Sequence, residues 1–130
     1  MIDFPIVVGI LGWVSTIMFL VLIVLIMKVI YNKIIPFKGF KCINLFGILF
    51  IRKGCKMSEV DLNHERIHTA QMKEMLYLGF YVWYFVEWLI RLFGKGNAYK
   101  NISFEKEAYS NEENLNYLEV RQMYAWTEYL

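Results

Sequence analysis

Cysteine and histidine are scarce in this chain, and this scarcity limits the sites that it can build. Cys42 and Cys55 are the only cysteines, they form no Cys-x-x-Cys pair, and two cysteines do not make a disulfide framework. Metal binding by either of them is not expected, because no other cysteine or histidine lies nearby at ligand spacing. The only histidines are His64 and His68, so any histidine ligands have to come from this one place.

Charge is missing from long stretches of the sequence. Phe4 to Met27 carries no charge and is long enough to cross a hydrocarbon core of about 30 Å as a helix. Lys28 to Lys56 has seven basic residues and no acidic one, which predicts a cytoplasmic position for this segment and an outside N-terminus. Asp3 precedes the apolar span and no small-residue cleavage site follows it. We therefore expect an anchor and not a cleaved signal peptide.

The composition agrees with a membrane association. The 130 residues are 58% hydrophobic and 20% charged, and a soluble domain of this size has too little interior to hide so much apolar surface. We expect a mainly α membrane protein of the bacterial inner membrane, with one transmembrane helix, a small β element and lipid as a partner. Residues 1–30 would form the anchor and residues 31–130 a membrane-associated domain. The basic stretch is dilute and lies against apolar sequence, so no nucleic-acid partner is expected.

Local signals predict the remaining elements. Ser58 is a suitable N-cap, and Asp61 completes a capping box, which predicts a helix from Glu59 to at least Met75, with Gly79 as a candidate break. Upstream, Ile43–Ile51 is the best strand candidate, in a two-stranded ribbon that turns near Phe37–Lys41. Downstream, a polar amphipathic helix is expected from Ile102 to Tyr129.

The predicted helix carries the motif His64-Glu65-Arg66-Ile67-His68. Histidines at i and i+4 project from the same helix face, one turn apart. The pattern HExxH on a helix is typical of zinc peptidases, in which two imidazoles bind Zn²⁺ and the glutamate is the general base. The plainer interpretation is a pair of surface histidines on an amphipathic helix. The clear helix context and the use of both histidines favour the metal site.

A catalytic zinc usually takes three protein ligands, so a third ligand is needed. Glu74 lies on the motif helix but points to another side, and Glu87 has Arg91 at i+4 as an obvious partner. The remaining acidic candidates lie near or within the last predicted helix. These are Glu105, Glu107, Glu112 and Glu113.

The segment Phe104-Glu105-Lys106-Glu107-Ala108-Tyr109 resembles the second motif of gluzincin-type peptidases, a helix with E-x-x-A-D or E-x-x-A-N. The resemblance implies that His64, His68 and Glu105 are the zinc ligands and that Glu65 is the base. Tyr109 stands where those families prefer Asp or Asn, and Glu107 stays an alternative ligand. The whole chain also resembles a group of small uncharacterised bacterial membrane proteins that pair NHERIH with a later FE-x-EAY, which brings no known activity.

The ligand assignment is coupled to the path of residues 76–93, which are apolar and aromatic. If this segment crossed a bilayer, the histidines and Glu105 would lie on opposite sides. We therefore expect it to lie in the interface or to pack against the first span, so that the chain returns. The predicted strand Ile43–Ile51 would hold a substrate backbone, and Tyr109 is the candidate oxyanion donor.

The sequence thus predicts a zinc-dependent peptidase at the cytoplasmic membrane surface, acting on a peptide or a membrane protein. A membrane-protein partner or a homo-oligomer is compatible with this function. The alternative is a non-catalytic membrane subunit or adaptor that keeps a peptidase-like fold.

Overall fold

The computed structural model describes residues 12–15 and 27–130 of the chain. A three-stranded sheet comes first along residues 27–130 and helices follow it. The elements are β1 (Lys28–Asn32), β2 (Cys42–Leu45), β3 (Ile48–Arg52), α1 (Glu59–Glu74), α2 (Leu78–Arg91), α3 (Ser103–Asn111), α4 (Tyr117–Val120) and a closing 3-10 helix (Ala125–Tyr129). The strand order is β1-β3-β2, with β1 parallel and β2 antiparallel to β3, so β2 is an edge strand.

The prediction of a mainly α membrane protein with one transmembrane helix is wrong for this fold. No helix within residues 12–15 and 27–130 is long and apolar enough to cross a membrane. The aromatic segment gives α2, whose 14 residues fall short of the roughly 20 that a spanning helix needs. The predicted location in the bacterial inner membrane is corrected on the same finding. The predicted span Phe4–Met27 lies outside the described residues, apart from residues 12–15 and 27.

A turn divides the predicted strand Ile43–Ile51 into two strands. Phe46 and Gly47 have φ angles of 52° and 77°, as in the two-residue turns that close β-hairpins. Leu45 pairs with Ile48 on either side of this turn. The predicted turn near Phe37–Lys41 is present, since Phe40 N–H donates to the Phe37 carbonyl at 3.2 Å, but it joins β1 to β2, which do not pair, and so it does not close the ribbon. Strand β1 is one that the sequence pattern did not predict.

The motif helix α1 begins where the capping signals predict. Asp61 N–H donates to Ser58 Oγ at 3.1 Å, and Ser58 N–H donates to Asp61 Oδ2 at 2.8 Å. The chain then reverses at Leu76 and Tyr77, whose φ angles are 51° and 60°. Gly79 was the predicted break but lies within α2.

The predicted helix over Ile102–Tyr129 is confirmed for Ser103–Asn111 and wrong beyond it, because the chain leaves helical geometry after Asn111. Asn63 of α1 explains the break. Its Nδ2 donates to the backbone carbonyls of Glu112 and Asn114, at 2.9 and 3.0 Å, and lies 3.4 Å from that of Asn111. A tertiary contact thus takes carbonyl oxygens that a continuing helix would use internally.

Helix α2 brings α3 back against α1. Phe80 of α2 stacks on Phe104 of α3, with ring centroids 4.5 Å apart, in a core completed by Met72, Ile102 and Trp126. Glu87 pairs with Arg91 at 2.9 Å, as predicted. Glu87 also accepts hydrogen bonds from the backbone N–H and the hydroxyl of Ser103 at the start of α3, at 2.9 and 2.6 Å.

Candidate metal centre

Two imidazoles from α1 and one carboxylate from α3 converge in the interior. His64 Nε2 and His68 Nε2 lie 3.0 Å apart. Glu105 places Oε2 3.5 Å from the first nitrogen and Oε1 3.4 Å from the second. All three residues are buried, and a ligand atom from each lies within 4.8 Å of the others. The structure therefore brings together the three predicted ligands.

Each histidine is held through its other ring nitrogen. His64 Nδ1 lies 2.7 Å from Glu112 Oε2, and because a carboxylate only accepts, Nδ1 carries the proton. His68 Nδ1 lies 2.8 Å from Gln71 Oε1. The amide nitrogen of Gln71 donates to the Phe104 carbonyl and to Glu107, so the oxygen of Gln71 faces His68. With Nδ1 holding its proton, a ring that carries no second proton has its free electron pair on Nε2, which is the form that binds a metal.

Charge around Glu105 is compensated only by groups that can gain or lose a proton. Burial alone would raise the pKa of Glu105, but the imidazoles of His64 and His68 and a hydrogen bond from Tyr84 hold it below its usual value. The Tyr84 hydroxyl donates to Oε1 at 2.9 Å, whereas Oε2 is buried and accepts no hydrogen bond within the described residues. Burial lowers the pKa of His68, but the hydrogen bond and charge of Glu105 outweigh it and raise this pKa to about 9.

This donor set fits a metal ion. Two Nε2 atoms at 3.0 Å repel unless a proton or a cation lies between them, and the open lone pairs of Glu105 Oε2 face the same space. Two histidines and one glutamate form a known ligand set of catalytic zinc. Within the described chain, the cluster has no fourth His, Cys, Asp or Glu, which leaves a coordination position open.

Glu65, the predicted base, is half-buried between the motif helix and the sheet. Its backbone carbonyl accepts from Asn44 Nδ2 at 2.9 Å, which ties α1 to β2. Its Oε1 lies 3.5 Å from the Cys42 Sγ. Burial, together with the charge of Glu65, raises the pKa of Cys42 to about 12, so the thiol stays protonated and donates to the carboxylate.

Tyr109, the predicted oxyanion donor, lies beside the cluster but at the surface. Its ring packs edge-on against His64 with centroids 4.7 Å apart, and Lys100 Nζ lies 5.3 Å above the ring. Tyr99 lines two cavities that Glu65 also borders. Burial and the charge of Glu105 raise the pKa of both tyrosines, so both hydroxyls remain donors.

The alternative ligand Glu107 lies away from the cluster. Its carboxylate is fully buried and accepts from Arg121, Gln71 and Tyr117. Glu74 also pairs with Arg121. Both carboxylates are therefore held in a structural ion-pair network.

Three roles at the site were missed from the sequence: that of Glu112, which was considered there only as a ligand, and those of Gln71 and Tyr84. Helix spacing could have found the first two. Glu112 follows Glu105 by seven residues, or two turns, and Gln71 follows His68 by three. Tyr84 reaches Glu105 from another helix, so no local spacing indicates it.

Comparison with known proteins adds no relative, since no family model, curated protein or solved structure matches the chain. The gluzincin resemblance thus rests on the motif residues alone.

Proposed function

We propose that the chain is a zinc-dependent peptidase, with His64, His68 and Glu105 as ligands. The observation that carries the proposal is the buried convergence of both Nε2 atoms with the Glu105 carboxylate, beside the glutamate of the HExxH motif. A zinc ion held there would act as a Lewis acid and lower the pKa of a coordinated water to about 7.

The remaining chemistry falls to this chain's own residues. Glu65 would accept a proton from the attacking water and deliver it to the leaving nitrogen. Tyr99 lines both cavities that Glu65 borders and Tyr109 lines one of them, so both hydroxyls are candidate oxyanion donors, with Tyr99 as the first choice. Glu112 and Gln71 would keep the two imidazoles in the tautomer that binds the metal.

The edge strand β2 supports a peptide as the substrate. Its partner β3 lies on one side only, and all four of its residues line the cavity that contains Glu65, His68 and Glu105. An extended peptide can add to such an edge through backbone hydrogen bonds. The three-donor cluster favours this enzyme over the alternative of a non-catalytic subunit, for which a closed four-ligand site would be expected.

The test is zinc content and peptide turnover of the wild type beside Glu65→Gln. The variant keeps the size of the side chain but cannot take the proton, so we expect bound zinc with turnover lowered about 10²–10⁴-fold. Elemental analysis comes first. Protein without zinc after reconstitution at neutral pH, or a Glu65→Gln variant as active as the wild type, would refute the peptidase proposal.

A further inference from the structure

Two cavities of about 280 Å³ each flank the candidate metal centre, and their walls differ in kind. Both are bordered by Cys42, Glu65 and Tyr99. The first, which we name the apolar cleft, lies on the His68 side. The second, the polar cleft, lies on the His64 side. A substrate peptide that occupied both cavities would thus meet two different environments.

The apolar cleft is walled by hydrophobic and aromatic side chains. Beyond the metal-site residues, its lining includes Phe40, Ile43, Leu45, Met72, Phe80 and Tyr81. Among the described residues that line it there is no lysine or arginine, and the acidic ones are Glu65 and Glu105. An acidic side chain that entered this cleft would find no positive charge to offset its loss of water. A large apolar side chain would instead be stabilised, because it would move from water into contact with an apolar wall.

Asn44 ties the wall of the apolar cleft to the motif helix. This residue lines the cleft, is 8% exposed, and uses its Nδ2 on Glu65 and Thr69. Its Oδ1 is buried and has no hydrogen-bond partner within the described residues.

The polar cleft has an excess of negative charge. Among the described residues, Asp61, Glu65 and Glu112 line it, against Lys41 as the one lysine or arginine. Lys41 pairs with Asp61 at 2.7 Å, whereas Glu65 and Glu112 have as partners the Cys42 thiol and the His64 ring. This arrangement favours a cationic side chain.

We propose that the site hydrolyses peptide bonds between one basic residue, seated in the polar cleft, and one large apolar residue, seated in the apolar cleft. The proposal rests on the peptidase function proposed above. Hydrolysis adds one water across the peptide bond, with the hydroxyl going to the carbonyl carbon and the proton to the leaving nitrogen. The preference follows from the different linings of the two cavities that Glu65 borders.

The test uses the zinc-loaded protein and four fluorogenic peptides that differ only in the two residues flanking the bond: Arg-Leu, Leu-Arg, Leu-Leu and Arg-Arg. We expect one of the two mixed peptides to exceed both uniform peptides by about tenfold or more in kcat/KM, the range that one side-chain subsite commonly gives. A uniform peptide that is cleaved as well as the better mixed peptide overturns the proposal.

Two variants at the cavity rims test each cleft separately. Lys41→Gln removes the cation of the polar cleft and should raise the preference for arginine over glutamine at the basic position. Phe40→Lys, at a side chain that is 65% exposed, should lower the preference for leucine over glutamate at the apolar position. Unchanged preferences in both variants, with turnover retained, overturn the assignment of the clefts.

A binding measurement separates the failure of this proposal from that of the peptidase function. Hydroxamates with leucine-like, arginine-like or no side chains are titrated into zinc-loaded wild type by calorimetry. If the protein binds zinc but all hydroxamates bind with the same affinity whatever their side chain, the specificity proposal alone is overturned. Failure to bind zinc overturns the function and the specificity together, whereas tighter binding of side-chain-bearing hydroxamates supports both.

Discussion

Glu105 and Glu107 lie two residues apart on α3, and both are buried, with 2% and 0% of their surface exposed. Their partners are opposite in kind. Glu107 faces the guanidinium of Arg121, a permanent cation, and accepts further hydrogen bonds from Gln71 and Tyr117. Glu105 faces two imidazoles and the phenols of Tyr84 and Tyr99, and one of its oxygens accepts no hydrogen bond within the described residues.

The difference shows what separates a structural carboxylate from a ligand. The charge of Glu107 is already matched by a group that cannot give up its proton, so a metal ion would have nothing to gain there. The charge of Glu105 is matched by His68, which can exchange its proton for a metal ion. Burial alone does not distinguish the two glutamates, whereas the identity of the counter-charge does.

The sharpest test of this comparison replaces each glutamate by glutamine. Glu105→Gln removes an anionic ligand. Zinc affinity should therefore fall by more than the roughly 10–100-fold that is typical when a side chain hydrogen-bonded to a ligand is removed. Glu107→Gln should leave Arg121 with Glu74 alone and lower the free energy of unfolding by up to about 3–5 kcal/mol. Chelator competition and urea unfolding of both variants measure the two effects.

The two variants serve as controls for one another. Glu107→Gln should retain zinc within about tenfold of wild type, as long as the protein is folded. If Glu107→Gln loses the metal and Glu105→Gln keeps it, the ligand assignment is wrong by two residues.

The exchangeable counter-charge also predicts an unusual pH dependence. The pKa of His68 is raised from 6.5 to about 9. Its contribution to the free energy of unfolding is therefore complete below pH 6.5 and is lost as pH rises through 9. This contribution amounts to at most about 3 kcal/mol for metal-free protein. The free energy of unfolding of zinc-loaded protein should instead rise with pH, because protons compete less with the metal for the ligands as pH rises.

Denaturant unfolding between pH 6 and pH 10 checks this prediction, with and without zinc. His68→Gln is the control, since it removes the titrating group and should flatten the curve of the metal-free protein in this window. If the free energies of unfolding of metal-free wild type and metal-free His68→Gln change in parallel between pH 6 and pH 10, His68 does not exchange its proton in this range.

Local signals predicted part of this arrangement, and tertiary contacts determined the rest. Ser58 and Asp61 bond within one turn, so the start of α1 and the motif face were predictable. The end of α3 was not, because Asn63 holds carbonyls that lie about 50 positions later in the chain. The resemblance favoured Glu105, but the reason that Glu107 is excluded is Arg121, which no spacing rule connects to it.

The smallest expected effect on zinc affinity comes from the hydrogen bond between His68 Nδ1 and Gln71, which orients the imidazole. Gln71→Leu removes the acceptor of the His68 Nδ1 proton and leaves Glu107 without one donor, so zinc affinity should fall about 10–100-fold. Glu112→Gln is the matched variant at His64, and its amide oxygen can still accept from Nδ1, so the loss should be smaller. Chelator competition gives the affinities, and the visible spectrum of Co²⁺-loaded protein reports the ligand geometry, which mere destabilisation would not shift. A larger loss in Glu112→Gln would mean that the charge on the acceptor matters more than the direction of the hydrogen bond.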